Sequence, residues 1–178
     1  MLRHVPLLAA SLALAGCARE PLPTHPNAEE AWIRLAAVPG RPGAAYFTLR
    51  GGPSPARLVE ISGAQVERVE LHDGGGAGGA MRMAPVSHVV LAPDAVIRFQ
   101  PGGRHAMLYG IDPGLAPLSR TRLRFRFSDG TRVEREAFAV AAGDPAPTFA
   151  PSPDSGETSC RPAIARDGER ITIATCAR

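Results

Sequence analysis

Polar and apolar residues alternate with a period of two along most of the middle of the chain. The clearest run is Thr121-Arg122-Leu123-Arg124-Phe125-Arg126-Phe127, in which every second residue is arginine and Thr, Leu and Phe fill the positions between. Successive side chains of a strand point to opposite faces, so this run predicts a strand with a solvated arginine row and a buried row. Further short runs lie at Trp32–Ala36, Ala44–Arg50, Ala56–Ser62, Val66–His72, Met81–Val86, His88–Leu91, Ala95–Phe99, Ala106–Ile111 and Thr131–Val140. Clusters of Gly, Pro, Asp and Ser separate them at spacings of roughly 8–12 residues, the signature of a sandwich or barrel. No convincing helical stripe occurs, so the fold class expected is all-β.

The two ends read differently. Residues 1–17, MLRHVPLLAASLALAGC, carry Arg3 and then an apolar stretch too short to span a bilayer. Leu14-Ala15-Gly16-Cys17 resembles a bacterial lipobox, which makes 1–17 a lipoprotein signal peptide and Cys17 the lipidated residue; an ordinary secretory signal is the alternative. Residues 18–30 are polar and proline-bearing and read as a flexible tether. The remaining cysteines, Cys160 and Cys176, would meet an oxidising compartment, so a disulfide is expected, with thiolate metal ligation as the alternative. Ala163-Ile164-Ala165 and Ile171-Thr172-Ile173 flank Asp167-Gly168, a hairpin turn signal that brings the two cysteines nearly opposite one another. Prolines 145, 147, 151 and 153 mark 143–159 as a semi-rigid linker, leaving 160–178 as a small disulfide-linked hairpin extension.

Composition narrows the classes. At 178 residues the chain holds one modest domain with appendages. With 44% hydrophobic residues and a net charge of only +3 it is not wholly disordered. All 20 cationic residues are arginine, which raises the question of nucleic acid. They are scattered, however, and a 5% aromatic content leaves few platforms for bases, so no nucleic-acid partner is expected.

Four residues stand out for chemistry: His72, Met83, His105 and Met107. Thioether sulfur is a soft, neutral ligand and imidazole a borderline one, a combination that suits Cu(I). His105 and Met107 are two apart on one strand and therefore share a face, as do Met81 and Met83. Gly102 and Gly103 allow the backbone to bend ahead of His105. Singly, each Met is more simply a core filler and each His a surface residue.

The spacing His-x10-Met-x21-His-x-Met is met without a gap by these four residues. Together with Val69-Glu70-Leu71-His72, Met81-Arg82-Met83-Ala84-Pro85-Val86 and Pro101-Gly102-Gly103-Arg104-His105-Ala106-Met107-Leu108, it resembles the periplasmic copper chaperones of the PCuAC family. Ala31-Trp32-Ile33-Arg34 and Ala44-Ala45-Tyr46-Phe47-Thr48-Leu49 extend the likeness over about 31–142. The resemblance implies a cupredoxin-like Greek-key β-sandwich holding one Cu(I) through His72, Met83, His105 and Met107, with Met81 in reserve. It further implies delivery to the copper-site subunit of cytochrome oxidase, of CuA type, alongside a Sco-like thioredoxin-fold protein. The implied location is the periplasm-facing envelope, with the chain held to a membrane by its N-terminal lipid. Two features depart from the family: Asp73-Gly74 follows the first histidine where a methionine is common, and a cysteine pair replaces a Met- and His-rich tail.

Other classes fit less well. A blue-copper electron carrier needs a cysteine ligand, and the β region has none. No G-x-S-x-G elbow or HExxH helix supports a hydrolase, so no enzyme activity is expected. A structural envelope lipoprotein with no metal role is the remaining alternative.

Overall fold

The computed structural model describes residues 23–74, 83–151 and 163–175. Among these residues there are thirteen strands and no helix: β1 (Asn27–Arg34), β2 (Gly43–Arg50), β3 (Ala56–Gly63), β4 (Val66–Gly74), β5 (Met83–Val86), β6 (Val89–Leu91), β7 (Val96–Phe99), β8 (His105–Ile111), β9 (Arg120–Phe127), β10 (Arg132–Val140), β11 (Thr148–Pro151), β12 (Ala163–Asp167) and β13 (Arg170–Thr175).

The all-β expectation holds. β9 alternates exposed and buried along its whole length, with its arginines outward. Glu60, Glu134 and Glu136 interleave with that row, at 2.5 Å for Arg126–Glu60 and Arg124–Glu134. It is thus a solvated, ion-paired face, and exposed pairs of this kind contribute little to stability.

β1 to β10 form one sheet in the order β5-β4-β8-β2-β1-β10-β9-β3-β6, with β7 also against β2. β1 and β10 run parallel. β3 additionally meets β4 at Gly63↔Val66, so the strands from β4 round to β3 close into a ring. The two layers of a sandwich are therefore continuous here. Beyond that one pair β3 and β4 diverge, leaving a cleft of about 410 Å³ lined by residues that include Ile61, Leu71, Val86 and Glu70. Phe47 stacks on Phe99 at 4.2 Å and meets Phe125 edge-on at 4.9 Å. Leu58, Leu91, Leu108 and Leu123, all fully buried, complete the interior with them.

Three features differ from the sequence reading. First, β1 begins at Asn27, inside the expected tether. Ala28 is fully buried, and Arg135 donates to its carbonyl at 2.5 Å. The register shifts between Glu29 and Trp32, and Glu30 takes φ 53°, so a bulge breaks the alternation that would have marked the strand.

Second, part of the expected linker is a strand: β11 pairs parallel with β13, Thr148↔Thr172 to Pro151↔Thr175. Third, the hairpin turns one residue later than expected. Asp167 pairs with Arg170, and Gly168 takes the first turn position at φ 56°, a conformation glycine adopts without steric cost. Cys160 and Cys176 lie outside the described residues, as does Cys17.

The small sheet β11-β13-β12 covers the outer face of β10, β1 and β2. Ile171 and Ile173 are buried there with Trp32, Tyr46, Phe138 and Val140, and Phe149 and Ile164 pack at the margin. Arg166 pairs with Asp144, whose carboxylate also accepts from the Ala141 N–H at 2.9 Å. The Arg166 hydrogen bond holds the Asp144 carboxyl below its usual 3.8.

Candidate metal centre

β4 and β8 each present two faces. Leu71, Ala106 and Leu108 point into the barrel core. The intervening residues point outward, and the antiparallel register pairs them across the strands: His72↔His105, Glu70↔Met107 and Arg68↔Tyr109. Directly opposed side chains lie close enough to act on one ion or to hydrogen-bond. The imidazole centroids are 5.6 Å apart and the rings are inclined by only 26°. With metal–nitrogen bonds of about 2 Å, that spacing admits one ion between the two rings.

β5 adds the third strand. It pairs with β4 through His72↔Pro85 and Gly74↔Met83, so Met83 shares the outward face of His72. All four residues predicted from the sequence therefore lie on one face of three adjacent strands. His105 is buried at 7% exposure, Met107 is half-buried, and Met83 is open at 59%. Met81, the reserve candidate, lies outside the described residues.

Each histidine has one nitrogen engaged and one not. His105 Nδ1 lies 2.9 Å from the Gly103 carbonyl, so that nitrogen donates and Nε2 keeps its lone pair. His72 Nε2 lies 3.4 Å from Glu70 Oε2, while its Nδ1 is buried with no hydrogen-bond partner among the described residues. An unsatisfied buried polar atom is costly unless something binds it. Metal-bound histidines characteristically donate their other N–H to a carbonyl or carboxylate, and each of these rings has such an acceptor beside one nitrogen.

Local backbone chemistry sets these positions. Gly102 adopts φ 77° in a turn closed by Gln100 N–H to the Arg104 carbonyl at 2.8 Å and Gly103 N–H to the Gln100 carbonyl at 3.0 Å. That turn aims the Gly103 carbonyl at His105. Gly74 packs against the same peptide: a Cβ there would stand 2.3 Å from the Gly103 oxygen, so only glycine fits. Arg104 reaches Asp73 at 3.2 Å and ties the turn to the end of β4.

Tyr46 flanks the other side. It follows Ala45, which pairs with Ala106 of β8, and Ala44 opposes Met107. Tyr46 packs on Trp32 at 4.4 Å, and burial raises its phenol above the usual 10.0 against the opposing pull of Arg34. Ala44 itself touches the cluster beneath the small sheet, which thus walls the Met107 side of the site. Among the described residues no group of three His, Cys, Asp or Glu is placed to hold a metal.

The sequence profile of the LpqE-like lipoprotein family matches residues 27–140, from the first residue of β1 to the last of β10. The chain belongs to this family. The family match ends before β11, so the small C-terminal sheet lies outside it. The fold is shared with the copper-bound PCuAC domain from PmoF2, at 20% identity and a TM-score of 0.56, covering 68% of this chain and 96% of that one. It is likewise shared with the apo PCuAC domain from PmoF1, at 19% identity and 0.55, covering 68% and 97%. Cu(I)-bound DR1885 from Deinococcus radiodurans matches at 23% and 0.53, covering 71% and 83%. No curated protein matches the chain. At these identities the likeness is one of fold, and at that level the PCuAC resemblance holds.

Sequence reasoning did not single out Glu70 or Tyr46 as parts of the site. Glu70 was signalled by its place two residues before His72, hence on the same strand face. Tyr46 depends on a strand pairing that local pattern does not carry.

Proposed function

We propose that this chain is a lipid-anchored, extracytoplasmic Cu(I) chaperone, a binding and transfer module with no catalytic activity of its own. The observation that carries this reading is the cross-strand pair His72/His105, each ring with one nitrogen engaged and the other left for an ion. Met83 and Met107 share its face. Two imidazoles with two thioethers make a soft, neutral donor set that favours Cu(I) over harder or divalent ions. Two structures of the same fold, the PmoF2 domain and DR1885, are copper-bound.

In this reading Cys17 carries the lipid and residues 18–26 tether the domain to a membrane. The cargo passes by ligand exchange to a respiratory oxidase copper subunit of CuA type, with a Sco-like protein alongside. Met83, exposed on the short edge strand β5, is the ligand an incoming thiolate or imidazole replaces first. His105 and the walled Met107 hold the ion until that replacement is made.

The test is a Cu(I) competition titration on residues 18–178, beside the double variant His105→Ala, Met107→Leu, with folding checked for both. One Cu(I) per chain, lost in the folded variant, is the expected result. Binding unchanged in the variant would move the metal elsewhere, most simply to Cys160 and Cys176. No binding in either protein would leave a structural envelope lipoprotein.

A further inference from the structure

The two histidines are engaged through different nitrogens, and that difference has a cause in the sequence. His105 lies beside a backbone carbonyl that accepts from Nδ1, which leaves Nε2 to the ion. His72 has no carbonyl in that role. Its Nε2 faces the carboxylate of Glu70, two residues earlier on the same outward face of β4, at 3.4 Å. Arg68 engages the other carboxylate oxygen of Glu70, and Arg68 itself lies over the ring of Tyr109 at 4.0 Å. The carboxylate is therefore held between a cation on one side and an imidazole on the other.

We propose that Glu70 is the positioning residue of the centre: it keeps the His72 proton on Nε2 and so presents the Nδ1 lone pair to the ion. The centre is then asymmetric, with His72 offering Nδ1 and His105 offering Nε2. A neutral imidazole carries its proton on whichever nitrogen has an acceptor, and the only acceptor beside the His72 ring among the described residues is this carboxylate. Without it, His72 would share its proton between the two nitrogens, and a fraction of molecules would present N–H instead of a lone pair. Outer partners of this kind are typically worth 10- to 100-fold in metal affinity.

This inference rests on the copper reading for its purpose but not for its test, because the tautomer exists without metal. Long-range 15N–1H correlation spectra of copper-free residues 18–178, which include every described residue, would be recorded at pH 8. The unaltered chain should show His72 protonated on Nε2 and His105 on Nδ1. Glu70→Leu should turn the His72 signals into an averaged pair and leave those of His105 unchanged. Glu70→Gln, whose amide oxygen still accepts from Nε2, should restore the His72 pattern. In a parallel Cu(I) titration, Glu70→Leu should weaken binding roughly 10- to 100-fold.

An Nδ1-protonated His72 in the unaltered chain would overturn the proposal, as would a Glu70→Leu spectrum with His72 unmoved. The intended tautomers in a chain that fails to bind Cu(I) would uphold the positioning role and defeat the copper reading instead. A Glu70→Leu chain that does not fold would leave the decision to the unaltered and Glu70→Gln spectra, which suffice for it.

Discussion

Ile173 offers a direct way to ask what the small C-terminal sheet does for the barrel. Its side chain is fully buried, in one cluster with Trp32, Tyr46, Phe138 and Ile171. Ile173→Ala deletes three carbons, and at about 0.8 kcal/mol for each buried methylene the transfer loss is about 2.4 kcal/mol. The cavity left behind raises the expected cost to about 3–4 kcal/mol, within the range for such truncations. What remains to hold the sheet is Ile171, the flanking Phe149 and Ile164, and the partly exposed Arg166–Asp144 pair, itself worth at most about 1 kcal/mol. The sheet should then detach before the barrel melts. Trp32 is the only tryptophan and only 5% exposed, so its emission reports that event. In urea the variant should show a red shift of Trp32 emission at lower denaturant than the loss of far-ultraviolet circular dichroism, while the unaltered chain shows the two together. Coincident transitions in the variant, with a loss below about 1 kcal/mol, would refute the idea that Ile173 fastens the sheet.

Three further expectations follow from the site and its supports. Gly74→Ala should force the Gly103 peptide away from His105 and weaken Cu(I) binding by about 10-fold or more in a competition titration; unchanged affinity would mean that the 2.3 Å approach is not needed. Met83→Leu should lose little affinity but alter the rate at which Cu(I) passes to a thiol chelator in stopped flow. Met107→Leu should mainly cost affinity, and equal behaviour of the two would undo the assignment of Met83 as the exchanging ligand. Asp144→Asn should destabilise the chain at neutral pH. The Asp144 carboxyl is held below 3.8, so its contribution is present above that value and is lost as pH falls through it toward the lower folded value. Thermal melts of the two proteins should therefore converge as pH falls below 3.8, and a gap that does not narrow at all on acidification would contradict the role of the Arg166 pair.

Much of this molecule could be read before its structure, and the exceptions share a cause. β9 announced itself because its alternation is unbroken and one face is uniformly arginine. The His and Met spacing picked out four residues that β4, β5 and β8 place on one face, although the intervals between them run through turns and other strands and so do not by themselves dictate that meeting. The start of β1 was hidden by the bulge at Glu30, which cancels the two-residue period where it was needed. β11 was hidden by proline: a strand of four residues at the edge of a small sheet tolerates Pro151 at its end, whereas a reader of composition sees a linker. Glu70 was legible from its place two residues before His72 on one strand, whereas the place of Tyr46 beside β8 depends on cross-strand register, a long-range property that no local window contains.

The ring of strands is closed by a single residue pair, Gly63↔Val66, and this has a mechanical consequence. β4 is tied to β3 at its first residue and to β8 and β5 along the rest. The strands β5, β4 and β8 thus form a leaf that is held to β2 through β8, tied to β3 at one corner only and bordered there by the cleft. Such a leaf can swing without breaking a rung of the ladder that fixes His72 against His105. The imidazole pair keeps its internal spacing while the leaf changes its angle to the remainder of the barrel. In the proposed carrier role, compliance at that seam and stiffness within the leaf would let an ion be loaded and unloaded without unfolding. Amide exchange that is fast along the β3 side of the seam and slow between β4 and β8 would be its signature.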